Sequence, residues 1–128
     1  MTARVLVVED TPANMKLVTM LLAREGYEVL QARTAEDAIA MARAKAPDLV
    51  LMDLHLPGMD GLQATQVLKA DERTSAVPVV AVTAMAMRGD EERILAAGCD
   101  AYVAKPIRYR EFLKEVADVL RSRGAKAA

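Results

Sequence analysis

The sequence predicts a doubly wound α/β fold in which five helices cover both faces of a five-stranded parallel sheet. Three observations carry this reading. Residues 5–8, 49–52 and 77–82 are uninterrupted apolar runs, the pattern of parallel strands covered on both faces. Segments with helical spacing separate and follow these runs. Two further strand-like stretches, 27–32 with Glu28 and Gln31 inside it and the short 101–104, carry the interruptions expected at the edges of a sheet.

In chain order, the run 5–8 ends in Glu9 and Asp10. Thr11 is placed to cap a helix that begins at Pro12, and Met15, Val18 and Leu22, with Leu17 and Leu21 beside them, form its apolar stripe until Gly26 stops it. Residues 27–32 make the second strand. Thr34 caps a second helix, with Asp37 three residues on, and Pro47 marks its end. Residues 49–52 run into Asp53, and Pro57 and Gly58 turn the chain toward a third helix that begins at Asp60 and carries Leu62, Val67 and Leu68. The run 77–82 ends at Thr83. A fourth helix, 89–97, offers only Ile94 and Leu95 as large apolar anchors and is expected to be loosely held. Strand 101–104 runs into Lys105 and Pro106, and a last helix buries Phe112, Val116 and Val119 before a tail that frays from Arg121. With the apolar strands at the centre and right-handed crossovers, the strand order is 2-1-3-4-5, the flavodoxin-like arrangement. Its direction reverses between strands one and three, so the ligand crevice falls between Asp10 and Asp53.

Length and charge narrow the function classes. A chain of 128 residues fits one domain, 1–128, whose core needs no disulfide or structural metal. Its 17 basic and 18 acidic side chains leave a formal charge of −1, too little for a whole-molecule field that gathers nucleic acid or membrane. The single cysteine, Cys99, excludes an internal disulfide, fits a reducing compartment and reads as a packing residue. No apolar run reaches the length of a membrane span and the N-terminus lacks a signal h-region, so a cytoplasmic location is expected.

The strand ends converge on one rim: Glu9 and Asp10, Asp53, Thr83 and Lys105. Singly, each has a plain reading as a solvated turn residue, a cap or a surface charge. Together they make a chemical site. Like charges at 4 Å repel by about 4 kcal/mol at an effective dielectric of 20, so three crowded carboxylates need protonation or a cation. An oxygen-only cluster of this kind suits Mg²⁺, which keeps open positions for phosphate oxygens.

The set Glu9-Asp10, Asp53 followed by Pro57-Gly58, Thr83-Ala84 and Lys105-Pro106 resembles the receiver domain of two-component response regulators over essentially the whole chain. Within that family, residues 14–17, 78–84 and 89–93 resemble single-domain members. The resemblance implies that Asp53 is the nucleophile that takes a phosphoryl group from a histidine kinase or a histidine phosphotransfer protein, with Mg²⁺ as cofactor. It also implies that Asp10, Asp53 and the backbone carbonyl of His55 bind the metal, with Glu9 acting through water. Lys105 is then the phosphoryl counter-ion, and Thr83 and Tyr102 are the switch pair. The Lys105-Pro106 bond matches the family's cis position. Such a domain catalyses its own phosphorylation and dephosphorylation but is not an enzyme with a separate substrate.

Several residues take duller accounts. The His55 ring is expected to tune phosphoryl lifetime, not to ligate or catalyse, and Met85 holds a similar tuning position. Met85 and Met87 read as gap fillers that could alternatively belong to a partner surface. Arg121, Arg123 and Lys126 read as a solvated tail. A downstream protein is expected on the face formed by the fourth helix, fifth strand and last helix, and kinases at the rim near the first helix. The alternatives are a receiver of a hybrid kinase or phosphorelay, and an aspartate-nucleophile phosphatase, which would want an acid where His55 stands. A dinucleotide site is excluded because the first turn, Val-Glu-Asp-Thr-Pro, has no glycine fingerprint.

Overall fold

The alternation of side chains along the central strands builds two cores from one sheet. The computed structural model describes residues 2–84 and 88–127. Its elements in order are β1 (Arg4–Val8), α1 (Pro12–Arg24), β2 (Glu28–Ala32), α2 (Ala35–Lys45), β3 (Leu49–Asp53), α3 (Gly61–Ala70), β4 (Val79–Thr83), α4 (Arg88–Ala96), β5 (Ala101–Ala104) and α5 (Tyr109–Ala127). Leu6 and Val8 of β1, Val50 and Met52 of β3, and Val79 and Ala81 of β4 pack with residues of α2, α3 and α4 on one face. Val5 and Val7, Leu49 and Leu51, and Val80 and Val82 pack with α1 and α5 on the other. The strands are parallel and ordered β2-β1-β3-β4-β5, the order that the apolar runs predict.

Parity also sorts the residues at the strand ends. Glu9 and Asp53 continue the series that faces α1 and α5, as does Lys105 after Val103. Thr83 continues the Val79 and Ala81 series on the opposite face, where Tyr102 packs.

Helix ends follow local chemistry, with differences in detail. Thr34 accepts a hydrogen bond from the Asp37 amide at 3.1 Å, and Asp60 and Gln63 close a reciprocal capping box at the start of α3. Thr11 holds the N-cap position of α1 but its side chain makes no capping bond. Its amide instead donates to Glu9 Oε1 at 3.1 Å, so the start of α1 steadies a carboxylate of the rim. The second helix ends at Lys45, and Ala46, at φ 47°, takes the left-handed position that usually falls to glycine, directly before Pro47.

The helical stripes are rotated from the sequence expectation in three places. Leu17 and Leu95 are exposed, which leaves Ile94 as the one large residue of α4 in the core among the described residues. In α3 the buried positions are Gly61, Ala64, Thr65 and Leu68, with Leu62 and Val67 at the margin. The last helix buries Phe112 and Val116 and continues to Ala127, beyond Arg121 where the sequence reading begins a frayed tail. Cys99 is buried beside Thr65. Met85 and Met87, and the side chains of Arg123 and Lys126, lie outside the described residues.

Candidate functional site

The C-terminal ends of β1 and β3 bring three carboxylates together. One oxygen from each of Glu9, Asp10 and Asp53 lies within 4.8 Å of the other two. Glu9 and Asp53 are buried, at 4% and 2% exposure, and Asp10 is exposed, so the cluster opens to solvent on one side only.

Asp53 is held at both oxygens. The His55 amide donates to Oδ1 at 2.9 Å, a contact set by the tight turn that leaves β3. The Lys105 ammonium stands 3.3 Å from Oδ2 and 3.6 Å from Glu9 Oε2. That lysine follows β5 at the sheet edge, its amide donates to the Thr83 carbonyl at 2.8 Å, and the Lys105–Pro106 peptide is cis. Burial pushes the Glu9 carboxyl above its ordinary value; the Thr11 amide opposes this, the Asp53 carboxylate adds to the rise, and Lys105 lowers it. Among the described residues Lys105 thus pairs with two of the three carboxylates. An all-oxygen donor set with that excess of negative charge, open to solvent on the Asp10 side, fits a hard divalent cation.

Thr83 is fully buried at the end of β4. It lines a cleft of about 280 Å³ whose other walls are Leu54, His55 and Leu56 of the turn after β3, Asp60 and Leu62 at the start of α3, and Asp90, Arg93 and Ile94 of α4. Tyr102 is half-buried on β5, two residues before Ala104, the register partner of Thr83. The Glu91 carboxylate, by charge first and with burial and hydrogen bonding adding, raises the phenolic pKa. Glu9, Asp10, Asp53 and Lys105 therefore form one constellation, and Thr83 and Tyr102 form a second on the opposite face of the strand ends.

Gly61 is a site residue that pattern reading passes over. A β-carbon there would stand 2.9 Å from Leu54 Cα and closer still to the Asp53 carbonyl oxygen. The start of α3 packs directly on the backbone of the buried aspartate, which only glycine permits. A glycine immediately after a helix N-cap was the available signal.

A two-faced parallel sheet with carboxylates on β1 and β3, a hydroxyl on β4 and a lysine after β5 defines a phosphorylation-dependent signalling domain. The chain belongs to the response regulator receiver domain family, whose model matches residues 5–117. It is 47% identical over 120 residues to the polar-differentiation response regulator DivK of Brucella ovis, a match that spans 94% of this chain and 98% of DivK. Among solved structures it resembles the receiver domain of a sensor histidine kinase from Pseudomonas aeruginosa PAO1, determined with a magnesium ion coordinated in its active-site cleft. The TM-score is 0.87 and the identity 34%, covering 94% of this chain and 98% of that one. It is also similar to a CheY-like receiver domain protein from Methanospirillum hungatei, with a TM-score of 0.89, 30% identity and coverage of 98% and 99%.

Proposed function

We propose that residues 1–128 act as a single-domain response regulator. In this reading Asp53 accepts a phosphoryl group from a histidine kinase or histidine phosphotransfer protein, and the surface over α4, β5 and α5 then changes its affinity for a downstream protein. The observation that best supports this is the Asp53 carboxylate itself, 2% exposed at the end of β3, with Lys105 Nζ at 3.3 Å and the Glu9 and Asp10 oxygens within 4.8 Å.

Asp10, Asp53 and the His55 backbone carbonyl, with Glu9 through water, would hold a Mg²⁺ ion that neutralises the crowded oxygens and the charge of the incoming group. An Asp53 oxygen forms the new P–O bond as the P–N bond of a phosphohistidine breaks and its electron pair leaves with the imidazole. Lys105 pairs with the phosphoryl oxygens. The Thr83 hydroxyl donates to one of them once it is attached, and Tyr102 turns inward into the space that Thr83 leaves. The His55 ring, exposed at the mouth of the site, tunes how fast water removes the group. The domain thus catalyses its own phosphorylation and dephosphorylation without acting on a separate substrate.

Kinases would approach the rim near α1. A cytoplasmic location, with no direct nucleic-acid or membrane contact, agrees with the small net charge, and no helix among the described residues is long and apolar enough to cross a membrane. A second reading, a receiver joined to a sensor kinase or serving as a relay intermediate, is favoured by the 34% identity to the Pseudomonas domain.

The test is incubation with Mg²⁺ and acetyl phosphate or a phosphorylated kinase. An acid-stable, base-labile label that disappears in Asp53→Asn is expected; label that persists in that variant overturns the assignment of the nucleophile.

A further inference from the structure

The first turn of α3 is held from behind by a buried hydroxyl. Thr65 is fully buried inside α3, and its hydroxyl donates to the Gly61 carbonyl one turn earlier at 2.8 Å. The same oxygen accepts from the Cys99 thiol at 3.8 Å. Cys99 is itself buried, in the turn that joins α4 to β5. Burial first, opposed by Thr65 and Lys69, raises its thiol above the ordinary value, so the S–H proton stays in place at neutral pH. A threonine that bonds back to the carbonyl four residues earlier often bends its helix. Here the turn it acts on is the one that lies against the Asp53 backbone.

We propose that Thr65 is a positioning residue for Asp53, its hydroxyl setting how the first turn of α3 lies on the backbone of the phosphoacceptor, and that the Cys99 thiol ties this hydroxyl to the turn after α4. This role rests on the phosphoacceptor reading above and deepens it. A β-carbon on Gly61 would meet both the Asp53 carbonyl oxygen and Leu54 Cα, so the glycine lies against the peptide that joins these two residues. The next amide, that of His55, donates to Asp53 Oδ1 at 2.9 Å. A shift of Gly61 therefore moves the peptide after Asp53 and, through the His55 amide, the carboxylate that must align with the incoming phosphorus.

Thr65→Val, which keeps the branched shape and removes the hydroxyl, is expected to slow labelling by acetyl phosphate with Mg²⁺ about fivefold, the worth of one buried hydrogen bond. Thr65→Ser, which keeps the hydroxyl and loses a methyl group, should unfold at lower urea than wild type through the cavity it leaves, yet label within about twofold of the wild-type rate. In the unphosphorylated protein, the Leu54 and His55 amide resonances should move in Thr65→Val and stay near their wild-type positions in Thr65→Ser. Cys99→Ala, which removes a weaker donor, should slow labelling about twofold and add nothing once Thr65→Val has removed the hydroxyl.

Labelling of Thr65→Val at the wild-type rate overturns the proposal. So does a pair of rates that follows urea stability, with Thr65→Ser the slower, since that assigns Thr65 to packing alone. An effect of Cys99→Ala that persists undiminished in Thr65→Val overturns the tie through the thiol. If the wild-type protein takes no label, the phosphoacceptor reading fails, while the Leu54 and His55 resonances, recorded without phosphate, still decide the role of Thr65.

Discussion

Gly61 sets the tolerance of the turn after β3, which carries the proposed phosphoacceptor. A methyl group there has to displace Leu54 Cα, 2.9 Å away, and the Asp53 carbonyl, both of them backbone. Overpacking against atoms that cannot rotate away costs about 1–3 kcal/mol. Gly61→Ala is therefore expected to lower stability by about 2 kcal/mol in urea unfolding, and to slow labelling of Asp53 because its carbonyl is the atom pushed. A variant with wild-type stability would mean that α3 can back away from β3. Asp53 and Lys105 were legible in the sequence because each ends an apolar run, so their place at the rim follows from local pattern. Gly61 was not, because it owes its role to a tertiary approach to a strand end that no spacing within its own helix encodes.

At the scale of elements, α2 and α3 are joined on the surface by Asp71, which accepts from Arg43 Nε of α2 at 2.7 Å and from Arg73 Nε at 3.1 Å and Nη2 at 2.9 Å. The Arg73 bonds first, with Arg43 adding, hold the Asp71 carboxyl far below its ordinary value of 3.8. Because the folded value is depressed, the unfolded chain takes up the proton first as acid is added. The contribution of Asp71 is thus present above pH 3.8 and lost as pH falls through the folded value. Asp71→Asn should unfold at lower urea than wild type at neutral pH, with the gap closing progressively below pH 3.8; a gap independent of pH would assign the loss to the packing of α2 on α3. This tie, like the choice of Ala35, Ala38 and Ala42 for the buried side of α2, is hard to read from sequence. Small residues let a helix approach the sheet closely, yet a stripe search weights bulk. For the same reason Leu17 and Leu95 were overvalued and Ala64 passed over: which of two adjacent apolar residues points inward depends on how the helix is rotated on its sheet.

Across the whole molecule, strand order and crevice were legible because three fully apolar runs can only be central, and right-handed crossovers leave one simple order for them. What the runs do not announce is that parity divides the rim, with Glu9, Asp53 and Lys105 toward α1 and α5 and Thr83 and Tyr102 toward α4. In the proposed switch, that division separates the place where charge changes from the helix that would respond, with the ends of β3 and β4 between them. It also makes stability of the entire domain sensitive to the charge state of the rim, since the carboxylates sit at the ends of central strands that belong to both cores. A cation that binds only the folded chain stabilises it by RT ln(1 + [L]/Kd), about 1.4 kcal/mol at ten times Kd, which for a domain of this size is about 5 °C in Tm. Mg²⁺ is expected to raise Tm by that order, and Asp10→Asn, which removes one of three crowded charges from the exposed side, should raise Tm of the metal-free protein while abolishing most of the Mg²⁺ response. Differential scanning calorimetry with and without Mg²⁺ decides the matter: if Asp10→Asn responds to the ion as wild type does, the cation is not held by this cluster.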